Sequence, residues 1–295
     1  MSSQIKTIFL LAALSAIILF LGRAIGGQTG LIIALVIALL MNLGSYWFSD
    51  KIVLSAYKAT PLSESQAPML HSMVAELSAE AGVPKPRIFL VPDSSPNAFA
   101  TGRNPEHAAL AVTKGLMVTL APEELRGVLA HEIGHIKNRD ILIQSVAGVL
   151  ATSVMYLAHM AQWAAIFGVG RGRDERGPGG SLLGGILLAI LAPLAAGLIQ
   201  MALSRSREYL ADATGAEISK SPLSLASALD KISRAGKAMP MHEGDLGTAH
   251  MLIVNPAMGG MAGLFSTHPP VEERIRRLQA MDRDMRRGGM RSFNN

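Results

Sequence analysis

The chain has 295 residues, of which 49% are hydrophobic and only 17% charged, with a formal net charge of +5 and no cysteine. This composition is more apolar than a soluble domain usually tolerates, so it indicates a membrane protein. The lack of cysteine excludes disulfides, cysteine-ligated metal sites and thiol nucleophiles. The modest basic charge, without a recognisable RNA- or DNA-binding motif, argues against nucleic-acid binding.

Four stretches contain no Asp, Glu, Lys or Arg, namely residues 7–22, 24–49, 141–170 and 177–204. A helix needs about 20 mostly apolar residues to cross a bilayer, so the first stretch is marginal and the other three are long enough. A cleaved signal peptide is disfavoured because the second stretch begins directly after Arg23 and no convincing small-residue cleavage site precedes it. We predict a transmembrane hairpin over residues 1–49 and two further membrane segments over 141–204.

The region from 50 to 140 has the character of a soluble domain. Spaced apolar residues over 63–81, followed by Gly82, predict an amphipathic helix. RIFLV at 87–91, NAFATG at 97–102 and AALAVT at 108–113 predict the short strands of a small sheet. Pro122 and the acidic residues after it predict the start of a helix that carries HEIGH at 131–135.

Three more helices are predicted beyond the last apolar stretch. SRSREYLADATGAEIS at 204–219 forms the first, Ser221 and Pro222 begin the second, and a charged helix follows HPP at 268–270. We assign 50–140 and 205–282 to two parts of one catalytic domain, and 283–295 to a disordered basic tail. The predicted fold class is α+β and predominantly α, with four membrane helices and a small β-sheet.

The HEIGH segment has the spacing of a metal site. Positions i and i+4 share one face of a helix, so His131 and His135 can bind a single metal ion. Glu132 points to one side of that face, where it can act as a general base toward a water molecule.

A hydrolytic zinc site usually has three protein ligands, so a third must be found. A metzincin-like pattern would need glycine at position 138 and histidine at position 141, where this chain has Asn138 and Ile141. Glu208 in REYLAD is the better candidate, with Asp212 one turn later on the same face to hold the N–H of a ligating histidine. Asp140 is a second candidate for that supporting role. The alternative for Glu208 and Asp212 is an exposed acidic helix face.

The order of these motifs resembles a known family. Hydrophobic segments alternate with NAFATG, HEIGH, SRSREYLADATGA and STHPP, as in the HtpX proteases, which are bacterial membrane zinc metallopeptidases related to the Ste-type CaaX and mitochondrial Oma proteases. The resemblance spans essentially the whole chain. It implies a gluzincin-like fold, one Zn²⁺ per subunit, and cleavage of misfolded or damaged membrane proteins under stress. Cooperation with other membrane quality-control proteases stays open.

The resemblance also implies roles for two further residues. His268 in STHPP is expected near the site as the stabiliser of the oxyanion, with Tyr209 and Arg205 as alternatives. NAFATG resembles the family's substrate-binding edge strand, which makes Asn97 a candidate substrate contact.

The membrane topology follows from the ligands and the charges. His131 and Glu208 must reach one ion, so the number of crossings between them is even. The loop between the last two apolar stretches holds three arginines, while seven Lys and Arg residues lie on the catalytic side, which favours a cytoplasmic catalytic domain. The resemblance to the HtpX proteases implies that the membrane is the bacterial inner membrane. At about 1.5 Å per residue, the zinc would lie roughly 6 to 9 Å along the helices from these two stretches.

The sequence disfavours two other function classes. A non-catalytic membrane adaptor that binds misfolded proteins would be expected to have a broken catalytic set, whereas here Glu132 and all three proposed ligands are present. A transporter would be favoured by charged residues inside the spans, and the four stretches contain none.

Overall fold

The computed structural model describes residues 3–147, 149, 205–238 and 269–292. Most of the two predicted membrane segments over 141–204 therefore lies outside the described residues, and so does His268. What the structure describes is mostly helical with one small mixed sheet, in agreement with the coarse fold class.

The N-terminal helix α1 (Ser3–Ala56) reverses its direction at Gly27, whose φ of 60° and ψ of −135° suit a residue without a side chain. Asn42 Nδ2 donates a hydrogen bond to Ser15 Oγ at 2.8 Å, so the two arms lie side by side. Among the described residues, the arm Gly27–Ala56 is the one helix long and apolar enough to cross a membrane. The structure thus supports one of the four predicted spans, and this arm continues seven residues beyond the predicted end of the hairpin at residue 49.

The sheet has four strands in the order β1-β2-β4-β3. Their bounds are β1 Thr60–Pro61, β2 Arg87–Val91, β3 Ala98–Thr101 and β4 Ala109–Thr113. Strands β2 and β4 are parallel and the other pairs are antiparallel. The strand order places β3 at one edge of the sheet. The three predicted strands are confirmed. The sequence did not indicate β1, because two exposed residues ending in proline carry no strand pattern.

The helices after α1 are α2 (Pro68–Ala81), α3 (Lys114–Thr119), α4 (Pro122–Lys137), α5 (Arg205–Ser219), α6 (Pro222–Ala238) and α7 (Val271–Ser292). Residues 105–107 form a 3₁₀ turn, and residues 141–147 are helical. The helices predicted outside the four apolar stretches are present, and Gly82 ends α2 with a φ of 71° as expected for a left-handed cap. Pro68 begins α2 five residues later than the sequence predicts.

The two faces of the sheet are both buried, because successive strand residues point to opposite sides. One face, including Leu110, packs with Leu77 of α2 and Leu129 of α4 in the main core. The other face, including Phe99, packs against Val53 and Leu54 at the end of α1. The end of the apolar helix α1 is therefore packed into the same fold as the sheet.

The C-terminal segment differs from the predicted disordered tail over 283–295. Helix α7 continues to Ser292, and Arg286 Nε lies 2.8 Å from Asp282 Oδ2 one turn earlier. Ion pairs at this spacing stabilise a helix, so a basic composition alone did not indicate disorder here.

Candidate metal centre

Helices α4 and α5 approach each other closely at HEIGH, and two glycines make the approach feasible. A Cβ atom at Gly215 would lie 2.7 Å from the backbone nitrogen of His131, and one at Gly134 would lie 3.0 Å from the carbonyl oxygen of Ala211. Both distances are shorter than ordinary packing, so no larger residue fits without a shift of the backbone. The contact brings the acidic face of α5 against the histidines of α4.

His131, His135 and Glu208 meet at this crossing. One ligand atom from each lies within 4.8 Å of the other two, and all three residues are buried. Glu208 Oε1 is 3.5 Å from His135 Nε2, and Glu208 Oε2 is 3.8 Å from His131 Nε2. Ligands about 2.1 Å from a tetrahedral ion are about 3.4 Å apart, so these separations suit a single zinc ion.

Glu132 lies against the edge strand. Its Oε2 accepts a hydrogen bond of 2.9 Å from the backbone N–H of Ala100 in the middle of β3. Burial raises the pKa of Glu132, and Glu208 adds to this, while His131 and His135 act in the opposite direction. A carboxylate with a raised pKa is better suited to exchange protons near neutral pH.

Behind His131 lies a carboxylate held by a buried arginine. His131 Nδ1 is 2.9 Å from Asp212 Oδ1, and Arg274 donates two hydrogen bonds of 2.7 and 2.8 Å to the two oxygens of Asp212. Burial tends to raise the pKa of Asp212, but Arg274 and His131 prevail and lower it to about 2. Asp212 is therefore ionised, and it orients the ring of His131 so that Nε2 faces Glu208.

A similar arrangement supports His135. Its Nδ1 is 3.5 Å from Asp140 Oδ2, and Asp140 Oδ1 is 3.9 Å from Nε of Arg207, whose side chain is nine-tenths buried. Asp140 reaches back to His135 because Arg139 adopts a left-handed conformation with a φ of 57°. Non-glycine residues rarely adopt this conformation without a compensating contact.

The charges of this cluster match a divalent cation. Four buried carboxylates belong to Glu132, Asp140, Glu208 and Asp212, whereas the buried cations are the two guanidiniums of Arg207 and Arg274. With neutral histidines, two negative charges are left over, which is the charge that one Zn²⁺ neutralises.

The pKa of His135 reflects the same surplus of negative charge. Burial alone would lower that pKa, but Asp140, Glu208 and Glu132 raise it to about 9. Without a metal, the buried carboxylates thus attract protons in its place. The donor set and its charge fit a zinc site.

The other predicted site residues have different positions. Asn97 is buried directly before β3, where its backbone exchanges hydrogen bonds with Thr113. Tyr209 packs beneath the guanidinium of Arg277 at 3.7 Å, and Arg205 is exposed. His268 lies outside the described residues.

The sequence did not single out Arg274 or Arg207 as parts of the site. Arg274 lies in VEERIRR, a charged run that is typical of a solvated helix face, yet its side chain is completely inaccessible to solvent. Arg207 directly precedes Glu208 in the sequence, but its burial is evident only in the fold.

The profile of peptidase family M48 matches residues 64–282, which include α4, α5 and most of α7. The chain belongs to peptidase family M48. It is similar to the protease HtpX homolog of Syntrophobacter fumaroxidans, with 59% identity over 282 residues that cover 95% of this chain and 100% of the relative. It is also similar to the protease HtpX homolog of Pyrococcus furiosus, with 55% identity over 95% of this chain and 96% of the relative. The predicted HtpX-type resemblance is confirmed, and this M48 chain is a member of a family of membrane metalloproteases.

A solved structure supports the fold of this M48 chain. The crystal structure of Ste24p from S. mikatae superimposes with a TM-score of 0.51 at 20% identity, over 93% of this chain and 65% of that protein. The chain thus spans about two thirds of the length of this structural relative, and the likeness concerns the fold alone.

Proposed function

We propose that this M48 peptidase is a membrane-bound zinc endopeptidase in which His131, His135 and Glu208 hold one Zn²⁺ per subunit. The observation that carries the proposal is the buried convergence of these three side chains beside Glu132. A non-catalytic adaptor has no need for a carboxylate held at hydrogen-bonding distance from an edge strand, so the geometry favours an enzyme.

The proposed reaction is the hydrolysis of a peptide bond. Bound zinc supplies a Lewis acid that polarises the scissile carbonyl and makes a water molecule more acidic. Glu132 takes a proton from the attacking water and delivers it to the leaving amine. The N–H of Ala100 holds one oxygen of Glu132 in place during these transfers, and Asp212 and Asp140 keep the rings of His131 and His135 oriented.

Substrate binding is proposed along β3. An extended peptide can pair with an edge strand through backbone hydrogen bonds, which select the conformation of the peptide more than its sequence. Asn97, directly before β3, is the proposed side-chain contact to the substrate. His268 is proposed to stabilise the oxyanion of the tetrahedral intermediate. The support for His268 is the resemblance of STHPP to the family motif.

The proposed role is the removal of misfolded or damaged membrane proteins under stress, with several membrane segments and a catalytic domain that faces the cytoplasm. Recognition of backbone conformation along an edge strand suits substrates that share an unfolded state and not a sequence. The distribution of arginine and lysine supports the orientation.

The test is the cleavage of an unfolded protein such as casein by detergent-purified enzyme. We expect one zinc per chain, loss of cleavage after chelation, and recovery when zinc is returned. Glu208→Gln should lower both zinc content and cleavage, whereas Glu217→Gln, on an exposed position of the same helix, should change neither. Cleavage that persists without metal would contradict the proposal, and zinc binding without cleavage by the wild-type protein would favour the adaptor.

A further inference from the structure

The second arm of α1 changes character within a few residues. Large apolar side chains from Ile32 to Leu43 are about half exposed, and Tyr46, Trp47 and Phe48 follow with exposed fractions of 39%, 51% and 51%. Aromatic residues of this kind are enriched where a membrane helix meets the aqueous interface. These three residues, here called the aromatic turn, therefore mark the end of the apolar stretch on the side of the catalytic domain.

Contacts at the aromatic turn and just beyond it fix the sheet to α1. The guanidinium of Arg103 lies 4.8 Å from the ring centre of Trp47, and Arg87 Nη2 is 2.6 Å from Asp50 Oδ2. Further along α1, the ring of Tyr57 packs against that of Phe99 at 4.6 Å. These contacts fall on two strands and one loop, so they set both the distance and the orientation of the sheet relative to the helix.

The register of the strands shows which end of the sheet lies near the aromatic turn. Arg87 pairs with Ala109, and Thr101 pairs with Ala109 from the other side, so these residues share one end of the sheet. Arg103 follows this end of β3. Thr113, the last residue of β4, lies at the opposite end, away from the aromatic turn.

Two cations are available at the aromatic turn. Asp50 is paired with Arg87, whereas Lys51 lies over the ring of Phe48 at 5.5 Å and Arg103 lies over Trp47. Neither Lys51 nor Arg103 has a carboxylate partner within the described part of the chain. Glu106 on the loop after β3 is exposed and offsets part of this positive charge.

We propose that Tyr46, Trp47, Phe48, Lys51 and Arg103 form an interfacial collar that binds the headgroups of anionic phospholipids. The rings lie among the headgroups, and the two cations bind lipid phosphates, which attract basic residues at membrane surfaces. The proposal rests on the membrane placement in the proposed function.

The collar sets the height of the catalytic site above the bilayer. Ala100, which holds Glu132, is three residues from Arg103 along the chain, or at most about 10 Å at 3.3 Å per residue. Substrate segments are therefore cut close to the membrane surface when the protein is in a bilayer, which favours chains that emerge from the membrane or lie along it.

The depth of the collar is measured with a single tryptophan. The chain has Trp47 and Trp163, so Trp163→Phe leaves Trp47 as the only indole fluorophore. In vesicles whose lipids carry bromine at different acyl positions, we expect the strongest quenching from bromine nearest the headgroup. Strongest quenching from bromine near the bilayer centre, or no quenching from any position, would overturn the proposal.

The lipid preference is measured by thermal unfolding in phosphatidylcholine vesicles with and without phosphatidylglycerol. We expect the anionic lipid to raise the unfolding midpoint of the wild-type protein, and Lys51→Gln/Arg103→Gln to lose at least half of the rise. The control Lys114→Gln/Lys220→Gln removes the same charge, with Lys114 at the far end of the sheet, and should keep the full rise. An equal midpoint in pure phosphatidylcholine shows that the collar variant is folded.

A collar variant that keeps the full rise in midpoint would contradict the proposal. Glu106→Gln should increase the rise, since it removes the exposed carboxylate of the loop after β3. Neither measurement depends on cleavage. A negative result in quenching or unfolding would therefore contradict the collar and not the zinc peptidase, and an absence of cleavage would contradict the peptidase and not the collar.

Discussion

The pair Asp212 and Arg274 allows the electrostatics of the site to be tested separately from its chemistry. Arg274 is completely buried, and two hydrogen bonds of 2.7 and 2.8 Å to Asp212 hold it in place. Asp212→Asn conserves the shape of the side chain but leaves a buried cation without its main partner. Breaking a buried pair costs about 3–5 kcal/mol, and Glu208 at 3.9 Å from Arg274 offsets some of this, so we expect a loss of about 3 kcal/mol.

The assay is urea unfolding of the detergent-solubilised, metal-free protein, for Asp212→Asn, Arg274→Met and the double variant. Because the double variant removes both members of the pair, its loss should be smaller than the sum of the two single losses by about 1–3 kcal/mol. Asp212→Asn should also weaken zinc binding by about 10- to 100-fold, since Asp212 orients His131. Additive losses, or a loss below about 1 kcal/mol for Asp212→Asn, would refute the reasoning from the buried pair.

Two further predictions concern the surroundings of the metal site, and a third concerns the start of α4. Gly215→Ala should cost about 1–3 kcal/mol of unfolding free energy, because the added methyl group meets the backbone of α4 and forces it to move, and unchanged stability would contradict this close contact. Asp140→Asn should weaken zinc binding by about 10-fold or more in competition with a chromophoric chelator, because His135 loses its anionic partner, and an unchanged affinity would remove Asp140 from the site. Burial raises the pKa of Glu124, but the hydrogen bonds that its carboxylate accepts, including one from Lys231, lower the pKa below its usual value. Ionised Glu124 therefore stabilises the fold fully above the unfolded pKa of about 4.3, and this stabilisation is lost as the pH falls through the lower folded pKa. Glu124→Gln should therefore reduce stability at pH 7 by about 1–2 kcal/mol and by less at pH 3, and an equal effect at both pH values would contradict this reading.

Local periodicity explains why most of the candidate site could be predicted. His131 and His135 share a helix face by spacing alone, and so do Glu208 and Asp212. The structure confirms both helices and brings the two faces together. What the spacing did not provide was the reason that the faces meet, which is the close crossing made feasible by Gly134 and Gly215.

The supporting arginines could not be predicted in this way. Arg274 is 62 residues from Asp212, and its segment has the composition of a solvated helix, so only tertiary packing identifies it as buried. Asp140 depends on a left-handed residue at Arg139, a conformation that the sequence alone would not predict for arginine. The short strand β1 was missed because its pairing with β2 is a long-range contact without a local pattern.

The comparison of wild-type protein with Glu132→Gln tests the central claim most directly. Both proteins, purified in the same detergent with zinc, are assayed for zinc content and for cleavage of the same unfolded substrate. Glu132 is beside the proposed ligands and is not one of them, so we expect one zinc per chain in both proteins and a loss of cleavage of at least about 100-fold in the variant. Cleavage by Glu132→Gln at the wild-type rate would contradict the assignment of Glu132 as the general base and, with it, the proposed mechanism.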